Sequence, residues 1–160
     1  MTQILTVYGE EYFNKYVWRQ DEIVRDSPEQ IKIGVFDDST DGVTQSSDYD
    51  GDPSDTTGDD ITTEPTDGNY TQKTFDLDST DVDVLNSGGN WVSDVKDHVF
   101  DMINTTGSAD HWFMIGRFQS EEAGDSSQNW HLLAVGPLEK SYDLNSVDEL
   151  TNKNAGVALD

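Results

Sequence analysis

The stretch HWFMIGRF, residues 111–118, is the most apolar run in this chain of 160 residues and the part that most constrains its fold. A short run of aromatic and aliphatic residues is typical of a buried β-strand. The stretch IKIGVF at residues 31–36 alternates its aliphatic residues as a strand does, and WHLLAV at residues 130–135 is again short and apolar. These three runs predict a protein built from β-strands.

Weaker strand signals surround these runs and are separated from them by turn residues, as in SGGN at 87–90 and NTTG at 104–107. Seven or eight short strands at this spacing predict one all-β domain, a β-sandwich or barrel, whose body is residues 31–160. A turn is expected at Val147–Leu150. The additional strands are predicted at Asn69–Leu77, Val82–Leu85, Trp91–Met102, Tyr142–Leu144 and Ala155–Leu159.

The chain is strongly acidic, with 33 acidic and 9 basic residues, a formal net charge of −24, and 24 Asp against 9 Glu. Such a surface repels itself at low ionic strength and disfavours nucleic-acid or anionic-membrane partners. At 1 M salt the Debye length falls to about 3 Å, so neighbouring carboxylates hardly sense one another. A disordered acidic chain has a similar composition, but four Trp, six Tyr and six Phe favour a folded protein adapted to high salt.

Cysteine is absent, so the chain forms neither a disulfide nor a thiolate zinc site. Residues 1–9 lack the basic and apolar regions of a signal peptide, and no long apolar run of transmembrane length occurs. We therefore expect a soluble protein that is made in the cytoplasm without a recognisable export signal.

Charge is distributed unevenly along the chain. Residues 1–32 contain four basic and six acidic side chains, a net charge of −2, whereas the remaining 128 residues contain five and 27, a net charge of −22. Aromatic residues at helical spacing predict a helix from about Gly9 to Gln20. Two interpretations stay open: the helix closes one end of the core, or residues 1–30 form a docking arm with an aromatic face for another protein. The candidate contact residues are Tyr8, Tyr12, Phe13, Tyr16 and Trp18.

Residues 37–60 consist almost entirely of Asp, Ser, Thr, Gly and Pro. Because such a segment has too little apolar surface to bury, we expect a long exposed loop between strands. Its centre, DYDGDPSD at residues 48–55, groups carboxylates as a calcium loop does, but it lacks the spacing of an EF-hand. A hydrated loop that holds Na⁺ or K⁺ without specificity is the alternative to a calcium or magnesium site. The candidate cation ligands are Asp48, Asp50, Asp52 and Asp55.

No catalytic motif is evident in the sequence, which has no glycine-rich phosphate loop, no paired-histidine zinc motif and no nucleophile turn. The histidines, His98, His111 and His131, lie far apart, and two of them adjoin a tryptophan. Since neighbours in a strand point to opposite faces, each such pair predicts an inward Trp and an outward His. We therefore predict a protein that is not an enzyme and has no resident cofactor.

Four segments follow one another along the chain: YGEEY at residues 8–12, FDDSTD at 36–41, ITTEPTDGNYTQ at 61–72 and WFMIGRFQS at 112–120. Their order resembles that of small virion proteins of tailed haloarchaeal viruses and related phages. The resemblance covers most of the chain, but it lies in the shape of the segments and not in their chemistry, so no functional residue carries over. It implies a jelly-roll-like β-sandwich on the virion, most simply on the icosahedral head, with a tail or neck position as the alternative.

The functional expectation is a non-enzymatic capsid decoration, cement or turret protein in many copies, located on a virion assembled in the host cytoplasm. Its expected partners are the major capsid protein and copies of itself, with the host surface as a further candidate, and neither nucleic acid nor a membrane. A hydrolase would need a pocket with a carboxylate pair or a His that the sequence does not indicate. The alternative from a binding class is a glycan- or host-surface-binding sandwich that stacks its ligand on Trp18, Trp91, Trp112 and Trp130.

Overall fold

The computed structural model describes residues 4–5, 30–45, 61–75, 82–87, 90–117, 131–152 and 155–158. Within these ranges the protein is all-β, and its ten strands pair antiparallel. The predicted fold class is therefore confirmed, whereas the expected number of strands was too low. The jelly-roll arrangement stays a prediction.

The strands form three sheets, in which five strands have the order β1-β8-β7-β2-β3, three have the order β10-β5-β4, and β6 pairs with β9. Their bounds are β1 (Ile4–Leu5), β2 (Gln30–Phe36), β3 (Lys73–Phe75), β4 (Val82–Ser87), β5 (Asn90–Val95), β6 (His98–Asp101), β7 (Ser108–Arg117), β8 (His131–Asp143), β9 (Glu149–Asn152) and β10 (Ala155–Ala158).

Helical structure in the described ranges is short. It consists of the single helical turn α1 (Asp38–Asp41) and the 3-10 turns Val43–Gln45 and Leu144–Ser146. None of the described helices is long and apolar enough to cross a membrane. The helix predicted over Gly9–Gln20 lies outside the described residues.

Strand β7 forms the centre of the five-stranded sheet, and both of its faces are buried. It pairs with β2 on one side and with β8 on the other. Trp112 and Met114 belong to the larger core cluster, whereas Phe113 and Ile115 belong to a second cluster. A strand covered on both faces needs no polar residue at alternate positions, which is why residues 112–116 form one continuous apolar run.

The larger core cluster draws on all three sheets. Alternation on β2 places Ile31, Ile33 and Val35 in this cluster. Val95 of β5 and Phe100 of β6 contribute side chains from the smaller sheets. The apolar contacts therefore hold the sheets together, and each fully buried aliphatic or aromatic side chain stabilises the fold by about 1.5–3 kcal/mol.

Two glycines make room for the aromatic residues of β7. In the strand register Gly34 lies opposite Phe113, and Gly136 lies opposite Trp112. A Cβ atom at Gly34 would stand 2.4 Å from Phe113 Cζ, and one at Gly136 would stand 2.6 Å from Trp112 Cε2. Both distances are too short for non-bonded carbon atoms. Each aromatic ring therefore covers a bare stretch of backbone on the neighbouring strand.

Several strand predictions need correction. The prediction of one strand over Trp91–Met102 is wrong, because the segment divides into β5 and β6, which pair in different sheets. The prediction of a turn at Val147–Leu150 is wrong for Glu149 and Leu150, which belong to β9. Leu150 pairs with Phe100, and both side chains are buried in the core. The short strand expected at Tyr142–Leu144 is for the most part the end of β8.

Candidate functional site

The carboxyl end of β2 leads into a compact acidic turn. Helix α1 follows Asp37 directly and ends at Gly42, whose φ of 69° lies in the left-handed region that suits glycine. The Gly42 N–H donates to the Asp38 carbonyl oxygen at 2.7 Å. We use the name acidic corner for Asp37, Asp38, Asp41, Thr62 and Thr63.

The expectation of an exposed loop from Asp37 onward is wrong at Asp38 and Val43, whereas Ser39 and Thr40 are exposed as expected. Asp38 is only 2% exposed, and Val43 is 7% exposed and packs into the second core cluster. This segment is ordered although it has little apolar surface, because its carboxylates accept hydrogen bonds from hydroxyl and N–H groups elsewhere in the fold. The candidate cation ligands Asp48, Asp50, Asp52 and Asp55 lie outside the described residues.

The Asp41 carboxylate fastens the loop at Thr62 and Thr63 to α1. Its Oδ2 accepts the N–H groups of both threonines at 3.0 Å and the Thr63 hydroxyl at 2.8 Å. Its Oδ1 accepts the Thr62 hydroxyl at 2.6 Å. Burial raises the pKa of Asp41, but these hydrogen bonds outweigh burial and hold the pKa below its usual value.

Asp37 joins the end of β2 to the start of β7. Its carboxylate accepts the hydroxyl groups of Ser108 and Ser39, and its N–H donates to Thr63 Oγ1 at 2.9 Å. The hydrogen bond from Ser108 and then the one from Ser39 hold the pKa of Asp37 below its usual value. Asp37 and Asp41 are therefore ionised in the ordinary pH range and accept hydrogen bonds as carboxylates.

Asp38 connects the acidic corner to His111. Its buried carboxylate accepts the Thr44 N–H at 2.8 Å and also the Thr44 hydroxyl. Its own N–H donates to Asp110 Oδ1 at 2.8 Å, and the same oxygen lies 2.9 Å from His111 Nδ1. The ring of His111 packs against Phe36 with centroids 5.9 Å apart.

The Trp and His predictions for β7 are confirmed in part. Trp112 is 1% exposed and lies in the core, as expected for an inward residue. His111 points to the other face, but its side chain is only 19% exposed because Asp110 and Phe36 cover it. His98 is half-buried in β6. Of His131, only the place at the start of β8 is described.

Glu64 and Tyr70 form a second polar centre on the edge of β2. The last β2–β3 register pair on this side is Ile33 with Lys73, so the Val35 N–H lies beyond it. The Tyr70 hydroxyl accepts that N–H at 3.0 Å and donates to Glu64 Oε1 at 2.7 Å. Tyr70 therefore continues the hydrogen bonding of β2 where β3 has ended.

Burial governs the ionisation of this centre. It raises the pKa of Glu64, while hydrogen bonds from Tyr70 and Gln72 and the charge of Lys32 act in the opposite direction. Burial also raises the pKa of Tyr70, and the charge of Glu64 raises it further. Gln72 Nε2 donates to Glu64 Oε2 at 2.9 Å. No spacing or motif in the sequence indicated this pairing.

A third set of hydrogen bonds ties residues 67–69 to the turn after β6. Asp67 Oδ1 accepts the Thr106 N–H at 2.9 Å, and Asn69 Nδ2 donates to Asp101 Oδ2 at 2.9 Å. Gly68 has a φ of 63°, and a Cβ atom there would stand 2.4 Å from the Thr105 nitrogen. Glycine is therefore required where these two segments come together.

Several of the described carboxylates link parts of the chain through hydrogen bonds. Asp37, Asp41 and Asp67 accept hydrogen bonds from Ser or Thr residues of distant segments, whereas Asp38 and Glu64 accept theirs from residues six to eight positions further along the chain. In the part of the chain that the structure describes, no three His, Asp or Glu side chains are placed to hold a metal ion. The chemistry available at these positions is hydrogen-bonded support of the β scaffold.

The other predicted site residues are only partly described. Tyr8, Tyr12, Phe13, Tyr16 and Trp18 lie outside the described residues, as does Trp130. Trp91 lies in β5, where only its backbone is described. Trp112 is buried, so it offers no stacking surface to a glycan.

Comparison with known proteins gives no relative from which a function could be carried over. No protein-family model, curated protein or solved structure matches this chain. The chain's own residues and geometry therefore carry the functional argument.

Proposed function

We propose that this chain is a non-enzymatic structural component of a halophilic tailed virus particle, a multicopy protein that decorates or cements the capsid. Its partners in this proposal are the major capsid protein and further copies of itself. A position on the tail or neck is the alternative within the same class.

The observation that carries the proposal is that acidic side chains link distant segments of the chain through hydrogen bonds. Asp41 binds a loop 21 residues away in sequence, and Asp37 binds Ser108, 71 residues away. These carboxylates accept hydrogen bonds from distant segments and so stabilise the β scaffold. A scaffold held together by acidic residues suits a protein whose task is to remain folded and attached in concentrated salt.

Concentrated salt also makes association of like-charged proteins feasible. A net charge of −24 would oppose docking on an acidic shell at low ionic strength. Screening removes most of that repulsion, and interface cores are rich in aromatic residues and poor in charge. We infer that residues 1–32, with a net charge of only −2, supply the contact through Tyr12, Phe13 and Tyr16.

The test begins with density-purified particles of the virus that encodes the chain, kept in molar salt. Mass spectrometry should find the chain in many copies, and a density map should place it on the outside of the head. Absence of the chain from purified particles would contradict the proposal.

The contact residues can be tested on one preparation of the variant Tyr12→Ser/Phe13→Ser/Tyr16→Ser. If these residues form a docking arm, the variant keeps its near-ultraviolet circular dichroism and no longer binds particles. A folded variant that still decorates particles rules out the arm. Loss of the folded signal shows instead that the segment belongs to the core.

A further inference from the structure

The pairing of β5 with β10 and the pairing of β6 with β9 continue one another in register, although they belong to separate sheets. Val95 pairs with Ala155, and His98 pairs with Asn152. Each of the two segments has two residues between these pairs, so the register is the same on both sides. Residues 96–97 belong to no strand, and both are exposed. Neither of their side chains therefore covers the inner face of the β6–β9 pair beside His98.

Asn152 lies on this inner face with its side chain buried. Leu150, two residues earlier on β9, belongs to the larger core cluster, and alternate residues of a strand share a face. Asn152 is only 2% exposed. Its carboxamide has two N–H donors and an acceptor oxygen, but within the described part of the chain neither Nδ2 nor Oδ1 has a hydrogen-bond partner. A buried amide without a partner destabilises the folded state, so both atoms need one.

His98 brings a further buried polar atom to the same place. It is the direct partner of Asn152 across the strand pair, and the Cβ atoms of such a pair lie about 4.5–5.5 Å apart on one face. The Nε2 atom of His98 is buried. The two side chains do not hydrogen-bond to each other, because neither amide atom of Asn152 has a partner. A small molecule that both donates and accepts hydrogen bonds can join them.

We propose that Asn152 and His98 form a binding site for an internal water molecule at the end of the β6–β9 pair. The water accepts a hydrogen bond from Asn152 Nδ2 and donates to Asn152 Oδ1 and to His98 Nε2, in the tautomer that carries the ring proton on Nδ1. Three hydrogen bonds are typical of a buried water molecule. The water links β6 to β9 where both segments pass from one sheet to the other. This inference goes beyond the proposed place on a virion and does not depend on it.

The chemistry of the site selects water over an ion. A hard cation takes six or more oxygen ligands, whereas Asn152 offers one oxygen and turns an N–H donor to the same place. An anion would be opposed by that oxygen and by the net charge of −24. Water is both donor and acceptor, so it satisfies the two amide atoms without adding charge.

The experiment uses the full chain in about 1 M KCl, and the probe is water itself. Nuclear Overhauser contacts should join the Asn152 side-chain NH₂ group to a long-lived water molecule, and magnetic relaxation dispersion of the solvent counts such molecules. Asn152→Leu keeps the approximate volume and removes both polar atoms, so the count should fall by about one. Thr151→Val is the matched control, because it removes a hydroxyl group from the adjacent residue, which points to the opposite face. Its count should equal that of the wild type.

Two further variants test the hydrogen bonds of the water molecule. Asn152→Ser keeps a donor and an acceptor and should retain the water. His98→Phe keeps a ring but removes Nε2, so the residence time of the water should shorten by about tenfold or more. An unchanged count in Asn152→Leu, no water contact at the Asn152 NH₂ group, or an unchanged residence time in His98→Phe would each overturn the proposal. The contact is measured on the wild type, so a folding defect in a variant does not remove the test.

Discussion

Two polar centres beside β2 use acidic side chains in opposite electrostatic settings. Asp41 in the acidic corner accepts four hydrogen bonds, which outweigh the effect of burial and hold its pKa down. Glu64 is more deeply buried and has two donors, Tyr70 and Gln72, so burial dominates and its pKa is raised. The comparison shows that the balance between desolvation and the number of donors sets the direction in which folding shifts the pKa of these two acids.

The charges around each centre predict which of the two depends on salt. The acidic corner places Asp37, Asp38 and Asp41 within five residues, whereas Glu64 has Lys32 as a nearby opposite charge. Mutual repulsion among the aspartates grows when salt is removed, while the attraction between Lys32 and Glu64 also grows. The two centres should therefore respond differently to the same change of solvent.

The largest predicted effect is that of lowering the salt concentration. Reducing KCl from molar to about 0.1 M lengthens the Debye length to about 10 Å and should loosen or unfold the isolated protein. The N–H groups of Thr62 and Thr63, bound to Asp41, should exchange with solvent before the Val35 N–H, bound to Tyr70. Hydrogen exchange with circular dichroism measures both. An unchanged melting temperature and spectrum over this range would contradict the adaptation to high salt.

The second prediction concerns Tyr70→Phe. The ring of Tyr70 stacks on Phe100 with centroids 5.7 Å apart, and the variant keeps that packing. It leaves the buried Val35 N–H without its acceptor and Glu64 with one donor instead of two, so the free energy of unfolding should fall by about 2 kcal/mol. Urea denaturation in high salt measures the change.

Tyr142→Phe is the matched control, since it removes a hydroxyl group from a partly buried tyrosine at the edge of the core. Its effect should stay within about 0.5 kcal/mol. If Tyr70→Phe is as stable as this control, the hydroxyl group does not continue the hydrogen bonding of β2.

The β-strands were predictable from the sequence because their signals are local. Ile31, Ile33 and Val35 alternate along one short segment, and the apolar residues 112–115 are buried on both faces of β7. The division of Trp91–Met102 into β5 and β6 was missed, because strand propensity continues through the break and only the pairing partners differ. Local pattern thus predicts where strands form better than it predicts which sheet they join.

The polar centres were not predictable because they join segments far apart in sequence. Asp37 meets Ser108, and Tyr70 meets Val35, through single hydrogen bonds. Serine, threonine and aspartate are as common in exposed loops as in such contacts, so the composition of residues 37–45 suggested only an exposed loop. Order in this segment comes from donors that other strands and loops bring to its carboxylates.

The third prediction tests the acidic corner by pH. Asp41→Asn should lower the free energy of unfolding by about 1 kcal/mol near neutral pH, because the Asp41 carboxylate is partly exposed and its hydrogen bonds are partly replaced by water. Folding lowers the pKa of Asp41 below 3.8, so the wild type has this stability above that pH and loses it as pH falls through the folded pKa.

The variant should therefore lose less stability than the wild type on acidification. Chemical denaturation from about pH 2 to 7 at constant salt measures the two curves. Asp97→Asn, at an exposed aspartate between β5 and β6, is the control and should follow the wild-type curve. Parallel curves for Asp41→Asn and the wild type would show that the Thr62 and Thr63 contacts do not stabilise the charged form.

The smallest predicted effect is that of Glu64→Gln. Its pH dependence runs in the direction opposite to that of Asp41→Asn. Folding raises the pKa of Glu64 above 4.5, so the folded protein holds this proton more tightly than the unfolded chain. The contribution to stability is fully present below pH 4.5 and is lost as pH rises through the folded pKa. The glutamine side chain of the variant keeps an oxygen that can accept from Tyr70 and has no proton to lose. Stability of the variant should therefore fall less than that of the wild type as pH rises from about 4 to 7.

Glu139→Gln removes an exposed charge from β8 as the control. If Glu64→Gln is destabilised relative to the wild type at pH 7, the charged form of Glu64 is favoured by Lys32 and its two donors, and the contrast between the two polar centres fails.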